Sequence, residues 1–388
     1  MSDPRIRFDD LRADPPSSFS MDGFEREVVA RRPQDVPTVI ADVEKEARDG
    51  RFAAGFVSYE AAPGFDPALR VRPPDPSVPL AWFGIFRERR DVDPPPASDR
   101  TAPPQRWMPS ESRERYDTTI ADIHRHIEAG DTYQVNYTLR LRSAPPGDLD
   151  AFYADLCLAQ TASYSVSIRM DDLAVLSASP ELFFELDGDR ITTRPMKGTI
   201  ARGATLDEDE AAAAELSASN KDRAENAMIV DLIRNDLGRV AVPGSVRPTE
   251  LFATERYDTV WQMTSRIDAE LRDDVDLLDV FRALFPSGSV TGAPKVRTME
   301  LIAELETAPR GIYTGAIGFV EPSSAGRPHA VFNVAIRTVV VDLAAGTAEY
   351  GIGGGITHDS SAEAEYEEAL TKARVLTERS RRASGRAR

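Results

Sequence analysis

Hydrophobic and polar positions follow two different periods in the first part of the chain. Aromatic and β-branched residues are concentrated at positions 52–62 (FAAGFVSYEAA) and 80–88 (LAWFGIFRE). Such runs are typical of strands. Before them, residues 37–50 (PTVIADVEKEARDG) carry apolar side chains at helical spacing, which predicts a helix. The pattern therefore indicates a fold that mixes helices and strands.

A proline-rich stretch interrupts this pattern. Six prolines occur between positions 94 and 109, and proline disfavours both helix and central strand because it fixes φ and lacks a backbone donor. Residues 112–130 then read as a helix with Gly130 as its C-terminal cap. We divide the chain into an N-terminal subdomain that completes the sheet scaffold (1–93), a Pro-rich linker (94–109), a larger second domain (110–378) and a basic tail expected to be disordered (379–388).

Composition narrows the class of protein. A chain of 388 residues with 41% hydrophobic content exceeds the size at which one core stops growing, so we expect two packed subdomains or one large α/β domain. The net charge of -17 repels phosphate backbones and anionic lipids, and we expect no nucleic acid and no membrane partner. The single cysteine, Cys157, has no partner for an internal disulfide. Together with the lack of an apolar leader in MSDPRIRFDD, this predicts a cytoplasmic protein.

An acid and an amine flank a predicted hairpin. Two β-rich runs surround the turn signal Asp187-Gly188 in LAVLSASPELFFELDGDRITTRPMKGT. Turns at 187–188 or one residue later both bring Glu181 and Lys197 to the same end of the ribbon. The two groups there have the chemistry of a general acid and a nucleophile. A salt bridge or a solvated turn lysine is the alternative, and structural ion pairs are common.

Two helices carry pairs of acids. In SASNKDRAENAMIVDLIRNDLGRV, Ser219 or Asn220 caps a helix that ends at Gly238, and Asp222 and Glu225 share one face. The apolar stripe of this helix is predicted at Ala224, Met228, Ile229, Leu232 and Ile233. Glu225 lies beside that stripe, so its charge needs a partner such as a cation. The helix dipole alone explains Asp222 better than it explains Glu225.

The second acidic helix follows a glycine run. Gly353, Gly354 and Gly355 in YGIGGGITHDSSAEAEYEEALTKARVL allow a ligand to approach the backbone, and their N–H groups can receive a carboxylate. Ser360 is predicted to open the helix in capping-box spacing with Glu363. Glu365 and Glu368 share a face, although Glu368 with Lys372 also fits an ordinary surface pair. If the two acidic helices converge, their oxygen ligands would suit Mg²⁺.

Several other chemistries are excluded. FPSGSVTGAPKVRTMELIAELE lacks the spacing of a phosphate loop, so we reject an NTPase. Its Gly292 and Pro294 indicate a strand-to-helix turn, with Lys295 near a helix start where a ligand anion could lie. There is no nucleophile elbow, and the four histidines have no metal-binding spacing. Residue types alone favour a Mg²⁺-dependent enzyme that acts on a carboxylated substrate.

Six segments taken together resemble the chorismate-utilising enzymes, the family of anthranilate, aminodeoxychorismate, isochorismate and salicylate synthases. They are PMKGT, KDRAENAMIVDLIRNDLGRV, FPSGSVTGAPKVRTMELI, YTGAIGFV, NVAIRT and GIGGGITHDSSAEAEYEEALTKA, in unbroken order between residues 110 and 378. The resemblance implies an α/β (α+β) fold of two packed β-sheet halves with helices outside and an active site between them. It also implies that residues 110–378 form a catalytic domain that binds chorismate.

The resemblance assigns roles to particular residues. It implies that Glu225 and Glu368 hold Mg²⁺ against the ring carboxylate of the substrate, with Asp222 and Glu365 nearby. The residues that match the family's contacts to the substrate are Tyr313, Arg337, Gly353, Gly354, Gly355, Lys372 and Thr291.

Two positions separate the members of the family by the nucleophile that they deliver. Isochorismate and salicylate synthases carry a water-activating lysine where this chain has Gln134, and a neutral amide cannot serve as that base. Anthranilate synthases carry an alanine where this chain has Lys197, whereas aminodeoxychorismate synthases carry a lysine. The resemblance therefore favours amination at C4 of chorismate, with anthranilate formation as the alternative and a catalytically silent binding subunit as a further one.

The implied mechanism makes demands on both catalytic groups. Lys197 attacks C2 while the C4 hydroxyl leaves, protonated by Glu181, and ammonia then enters at C4. An unperturbed lysine is neutral only about 0.04% of the time at pH 7, so its pKa must fall, and Glu181 must stay protonated. Cys157 in LCLAQ has no glycine-flanked elbow, so a separate glutaminase subunit is expected to supply ammonia. Gln262 replaces a histidine found in relatives, and it cannot shuttle a proton.

Overall fold

The computed structural model describes residues 2–96, 105–257, 260–324 and 326–376. The basic tail and half of the predicted linker (97–104) lie outside these residues. At the end of the linker, Met108 and Pro109 pair with Arg142 and Leu141, so its last two residues join the sheet. The division into domains otherwise stays a prediction.

Strands make up most of the described fold. Their bounds, in chain order, are β1 (Arg5–Asp10), β2 (Ser17–Ala30), β3 (Phe52–Val57), β4 (Ala81–Asp91), β5 (Met108–Pro109), β6 (Gln134–Ser143), β7 (Tyr164–Arg169), β8 (Leu173–Ser179), β9 (Leu182–Asp187), β10 (Arg190–Arg194), β11 (Met196–Ala201), β12 (Arg247–Arg256), β13 (Val260–Glu270), β14 (Gly292–Ala293), β15 (Ala316–Glu321), β16 (His329–Val334), β17 (Thr338–Asp342) and β18 (Thr347–Ile356).

Helices lie between these strands. Their bounds are α1 (Val36–Arg48), α2 (Ala62–Phe65), α3 (Arg113–Glu128), α4 (Leu149–Gln160), α5 (Leu206–Ala218), α6 (Asn220–Gly238), α7 (Leu277–Leu284), α8 (Lys295–Leu305) and α9 (Ala362–Lys372). Within the described ranges, none of these helices has the length and apolar character needed to cross a membrane.

The strands form two halves joined through β1. One half runs in the order β6, β18, β17, β8, β7 and β1. The other runs β2, β4, β3, β15, β16, β9, β10 and β13; β11 pairs with β13 on the same side as β10, and β12 pairs on the far side of β13. The long strand β2 pairs with both β1 and β4 and so connects the halves. Every one of these pairings is antiparallel, which makes the fold α+β.

The two halves pack face to face around an aromatic cluster. Phe8 of β1 and Ile168 of β7 come from one half, whereas Phe56, Trp82 and Phe319 come from the other. All five are buried below one-tenth exposure, and side chains from two inner sheet faces interdigitate in this way in sandwiches. Helices cover the outer faces, with α1 on β2 and β4, α4 on β8, α6 on β11 and β13, and α9 on β18. The predicted fold class is confirmed.

Local predictions succeed where a single residue type controls the backbone. The helix predicted at 37–50 is α1, and the helix at 112–130 is α3, which Ser112 caps and after which Gly130 adopts φ +78°. The hairpin turn lies at Gly188 and Asp189, because Asp187 pairs with Arg190. This is the later of the two registers considered.

Two details of the acidic helices differ from the prediction. Ala224 is exposed, and the buried face of α6 is formed by Asn226, Ile229, Val230, Ile233, Asp236 and Leu237. Ser361, rather than Ser360, caps α9 by accepting a hydrogen bond from the Ala364 N–H. The helix begins one residue later because the Ser360 hydroxyl donates to Oε1 of Glu365 instead.

Candidate active site

The predicted residues meet over the glycine run of β18, Gly353 to Gly355, which is called the floor of the site. A methyl group placed on Gly355 would lie 2.9 Å from Nζ of Lys197, and one placed on Gly354 would lie 3.2 Å from Oε2 of Glu365 and 3.5 Å from Nζ of Lys372. Glycine is therefore required here because charged side chains from β11 and α9 pass directly over the backbone.

Backbone donors of this run point into the site. Thr138 and Asn136 of β6, opposite Gly353 and Gly355, donate their N–H groups to Oε1 of Glu306 and to the Thr291 carbonyl instead of to β18. In an antiparallel ladder such pairs are non-hydrogen-bonded, so the N–H groups of Gly353 and Gly355 point away from β6. The Gly353 carbonyl on the same side accepts from Nζ of Lys372 at 2.8 Å. This edge of β18 thus offers N–H donors to a carboxylate.

Lys197 lies in β11 at the center of this arrangement. Burial lowers the pKa of its amine, the nearby Lys372 charge acts in the same direction, and the carboxylates of Glu225, Glu181 and Glu368 oppose the shift. Desolvation disfavours the charged ammonium. The Lys197 amine is therefore closer to the neutral, nucleophilic form than an exposed lysine.

Glu181 has the opposite shift. It is 3% exposed, and burial raises its pKa to about 7, although a hydrogen bond from the Ser289 hydroxyl and the charge of Lys197 pull the pKa down. Ser289 in turn lies 2.9 Å from the hydroxyl of Ser287. Glu181 is thus protonated for a substantial fraction of the time near neutral pH, as a general acid requires. The role of Ser289 was not predicted, although FPSGSVTGAPK was recognised as part of the family pattern.

The two acidic pairs converge from α6 and α9. Burial raises the pKa of Glu225, and the charges of Glu365 and Asp222 raise it further. Burial also raises the pKa of Glu365, with Glu368 adding to the effect. Asp222 lies under the turn after Lys197, because a methyl group on Gly198 would be 2.9 Å from its Oδ1. Across the described residues, no three carboxylate, imidazole or thiol groups form a preformed metal cluster.

Lysines partly neutralise these acids. Nζ of Lys372 lies 2.9 Å from Oε1 of Glu368, and this contact is the main reason that the pKa of Glu368 is lowered. Nζ of Lys221 lies 4.0 Å from Oε1 of Glu225. The carboxylate of Glu365 nevertheless remains close enough to Glu225 to disfavour its ionisation. Oxygen donors in such an arrangement suit a hard divalent cation.

The remaining predicted substrate contacts surround the floor unequally. The ring of Tyr313 covers Gly351, where an added methyl group would lie 2.3 Å from ring atoms. Arg337 donates to the main-chain carbonyl of Lys372. Thr291 is fully buried and its hydroxyl donates to the Ser287 carbonyl at 3.1 Å, so its contact with a substrate stays a prediction.

Three other residues that the sequence singled out have defined surroundings, and only Lys295 differs from the role suggested for it. Lys295 lies 2.8 Å from Oδ2 of Asp236 and also donates to the Leu284 carbonyl, so it stabilises the packing of α8 on α6 and is not a free anion ligand. Gln262 donates to the Gly198 carbonyl and accepts from the Thr199 hydroxyl, both at 2.8 Å. It therefore holds the turn that carries Lys197. Gln134 is fully buried with both amide atoms unpaired within the described structure, and its Nε2 would lie 2.3 Å from a methyl group on Gly355.

Comparison with known proteins defines the class. The family model described as chorismate binding enzyme matches residues 9–378, so this chain belongs to the chorismate binding enzymes. The match begins well before residue 110 and includes most of the predicted N-terminal subdomain.

Relatives within this class carry two kinds of name. The chain is 43% identical over 266 residues to aminodeoxychorismate synthase component 1 of Salmonella typhimurium, a match that covers 69% of this chain and 57% of that protein. It is 42% identical over 283 residues to an anthranilate synthase component 1 of Haloarcula marismortui, covering 72% and 54%. The chain thus spans a little over half the length of these curated relatives.

Solved structures support the fold. The anthranilate synthase component I of Streptococcus pneumoniae superposes with a TM-score of 0.78 at 24% identity, covering 92% of both chains. The menaquinone-specific isochorismate synthase of Escherichia coli superposes with a TM-score of 0.74 at 17% identity, covering 97% of this chain and 88% of that one. At these identities the similarity establishes the architecture of two packed sheet halves.

Proposed function

We propose that this chain is a component 1 of aminodeoxychorismate synthase, which converts chorismate and ammonia to 4-amino-4-deoxychorismate for folate synthesis in the cytoplasm. The observation that carries the proposal is the half-buried Lys197, whose amine lies over Gly355 and close enough to Glu181 for each charge to shift the other's pKa. The similarity to aminodeoxychorismate synthases supports the same reaction.

The reaction uses the two shifted groups in sequence. Nζ of Lys197 forms a bond to C2 of chorismate, the ring double bonds move, and the C–O bond at C4 breaks as Glu181 gives its proton to the leaving hydroxyl, which departs as water. Ammonia then forms a bond to C4, the double bonds move back, and the bond between C2 and Nζ breaks. Glu181 recovers a proton from the newly bonded nitrogen, which restores both side chains.

The floor and the acidic pairs bind and orient the substrate in this proposal. The N–H groups of Gly353 and Gly355 would receive a substrate carboxylate, and Tyr313, Arg337 and Lys372 would contact its other polar groups. Glu225 and Glu368, supported by Asp222 and Glu365, would hold Mg²⁺, which needs only one or two protein carboxylates besides substrate and water. The bound ion would neutralise the ring carboxylate.

Ammonia would come from a glutaminase subunit. Burial raises the pKa of Cys157 to about 12, and its side chain is fully buried, so the one thiol of this chain is unsuited to attack glutamine. We expect purified protein with chorismate and Mg²⁺ to form product with ammonium ions but not with glutamine. Glutamine-dependent activity of this chain alone would contradict the glutaminase part of the proposal.

The position of the new amino group tests the reaction itself. With ammonium ions, the product should yield 4-aminobenzoate only after an aminodeoxychorismate lyase is added. Anthranilate, formed without the lyase, would instead establish the activity named for the Haloarcula marismortui relative. Absence of any aminated product would favour a silent binding subunit.

Substitution of Lys197 tests the nucleophile. Lys197→Ala should lose most 4-amino product and shift residual activity toward the 2-amino product, because C2 is no longer shielded. Lys45→Ala, which removes an exposed lysine paired with Asp49, is the control and should behave as wild type. Intact-protein mass spectrometry during turnover should find a chorismate-derived adduct at Lys197 that the Ala variant lacks. Full activity with unchanged product in Lys197→Ala would make this residue a structural turn lysine.

A further inference from the structure

A cluster of buried charges lies directly behind Tyr313, and the proposed reaction uses none of them. It consists of Glu60, Arg140, Glu306 and Arg310, whose exposed fractions are 2%, 3%, 2% and 4%. Burying four charges is costly unless each is paired and hydrogen-bonded. Their arrangement therefore requires a reason beyond packing.

Glu60 holds the turn that leads to Tyr313. Its Oε1 accepts the Arg310 N–H at 2.7 Å and its Oε2 accepts the Gly311 N–H at 2.8 Å. The N–H of the preceding Tyr59 donates to the Gly311 carbonyl at 2.8 Å. Segment 59–60, which follows β3 in the N-terminal part of the chain, thus accepts hydrogen bonds from two N–H groups of the turn and donates one to a carbonyl of the same turn.

The turn itself has an unusual backbone. Gly311 and Thr314 both adopt φ +61°, and Tyr313 lies between them. A threonine in the left-handed region costs on the order of 1 kcal/mol, so the turn does not take this shape by local preference. The hydrogen bonds from segment 59–60 constrain the first half of the turn, and the Thr314 N–H, which donates to the Ala335 carbonyl at 2.9 Å, constrains the second.

Arg310 connects this turn to the floor of the site. Its guanidinium donates to the Val290 carbonyl at 2.7 Å and to the Asn136 carbonyl at 2.6 Å, and it pairs with Oε1 of Glu306 at 2.7 Å. Asn136 is the β6 residue opposite Gly355. A displacement of the turn would therefore also displace groups that border Lys197.

Arg140 supports the aromatic ring from behind. Its guanidinium carbon lies 5.3 Å from the centroid of the Tyr313 ring, and its nitrogens donate to the Thr138 hydroxyl and the Pro309 carbonyl at 3.0 and 3.1 Å. The same ring also lies against Gly351. The turn therefore sets the position of the Tyr313 backbone, and Arg140 and Gly351 contact its ring.

We propose that Glu60 is a positioning residue for substrate binding, which acts through its ionised carboxylate to hold the turn at residues 310–314 and so keeps Tyr313 in place for chorismate. The proposal rests on the chorismate site described above. An ionised carboxylate accepts two N–H bonds, whereas a neutral acid or an amide places a donor against one of them. Loss of the charge should therefore release one side of the turn.

Protonation offers a direct way to vary this charge. Burial raises the pKa of Glu60 to about 7, and the Arg310 and Gly311 N–H bonds and the Arg140 charge oppose the shift. The other charged or titratable groups around Glu60 are Tyr59, Glu306 and Arg310. Burial raises the pKa of Tyr59, and the pKa of Arg310 is also raised despite burial, chiefly by the charge of Glu306. Both groups therefore keep one protonation state near neutral pH.

The test compares chorismate affinity by calorimetry for wild type and Glu60→Gln at pH 6 and pH 8. At pH 8 the Gln variant should bind about tenfold more weakly, the value of one hydrogen bond to a charged acceptor. At pH 6 the two proteins should differ little, because Glu60 is then largely neutral in wild type. Glu44→Gln is the control, since Glu44 is also buried and likewise accepts a backbone N–H, that of Leu277, but does not contact the turn at residues 310–314. Equal affinities of wild type and Glu60→Gln at pH 8 would overturn the proposal.

A second arm needs no change at Glu60. Chorismate affinity is measured at pH 6 and pH 8 in Glu181→Gln, in which position 181 no longer titrates. As pH falls, Glu225 and Glu365 become protonated and repel chorismate less, and Lys197 becomes protonated and attracts it more. All three effects strengthen binding as pH falls. With Mg²⁺ omitted from this arm, so that protonation of these proposed metal ligands cannot weaken binding through the ion, only the loss of the Glu60 charge weakens it.

The sign of the pH dependence in Glu181→Gln therefore decides. Weaker binding at pH 6 than at pH 8 supports the proposal, even if Glu60→Gln fails to fold, and stronger or equal binding at pH 6 overturns it. Because affinity is measured rather than turnover, a chain that binds chorismate without aminating it would contradict the proposed function and leave this comparison intact.

Discussion

Replacing Ser289 with alanine removes the hydroxyl that donates to Oε1 of Glu181. A hydrogen bond to a charged group contributes about 1.5 to 3 kcal/mol, and one pKa unit corresponds to about 1.4 kcal/mol. Since Glu181 is 3% exposed, water cannot easily replace the lost donor. The pKa of Glu181, which burial already raises to about 7, should therefore rise by about one to two further units in Ser289→Ala.

The direction of the kinetic effect follows from the role of Glu181. A general acid works only while it is protonated, so kcat falls as pH rises through its pKa. In Ser289→Ala this alkaline limb should move to higher pH by about one unit or more. The limb is measured from pH 6 to 9 with free ammonia kept saturating at each pH, so that the supply of nucleophile does not shape the profile.

Two variants control the measurement. Ser287→Ala removes only the neighbour that lies 2.9 Å from the Ser289 hydroxyl, and it should move the limb less. Glu181→Gln should abolish the limb together with most activity. A limb that stays at the wild-type pH in Ser289→Ala, or one that persists in Glu181→Gln, would refute the assignment of Glu181 as the acid.

Three further outcomes are expected. Glu225→Gln and Glu368→Gln should each raise the Mg²⁺ concentration for half-maximal rate by about tenfold or more, since a hard cation loses a charged ligand. Mg²⁺ binding measured by calorimetry in the presence of chorismate should weaken in parallel. Unchanged values would mean that Glu225 and Glu368 are surface carboxylates. Gln262→Met should lower kcat about tenfold with little effect on KM, because the amide no longer holds the turn that carries Lys197, and a wild-type kcat would exclude this role. Hydrogen bonds to two glutamates raise the pKa of His329 to about 9, so the stability that its charge contributes is complete below the ordinary histidine pKa and is lost as pH rises through about 9. In urea unfolding, wild type should be about 1 to 2 kcal/mol more stable than His329→Asn at pH 6 and equally stable at pH 10. A difference at both pH values would mean that packing, rather than charge, is responsible.

Local structure was predictable wherever one residue type controls the backbone. Ser219, one of the two caps that the sequence allowed, caps α6 because its hydroxyl satisfies an orphan N–H group, and Gly238 ends the helix as predicted. The start of α9 was less predictable. Ser360 and Ser361 are both competent caps, and the choice between them depended on Glu365, whose side chain takes the Ser360 hydroxyl.

The order of strands was beyond local reasoning. β6 pairs with β18, more than two hundred residues later, and β3 of the N-terminal part pairs with β15. Nothing in the periodicity of these segments selects a partner, since many apolar strands have equivalent patterns. The family resemblance implied two packed sheet halves but not which strands pair.

The candidate reacting groups were proposed from the sequence, by residue pattern and family resemblance. Lys197 in PMKGT, the acidic pairs on two helices and the glycine run were all recognisable by residue type and spacing. Their properties were decided only by the tertiary structure, because the pKa values of Lys197 and Glu181 depend on how much protein surrounds them and on which charges arrive from other segments. The same holds for Glu60 in SYEAAPGF, which the sequence does not distinguish from the other acids of the chain. Its role depends on folding, which places it against the N–H groups of Arg310 and Gly311, about 250 residues later.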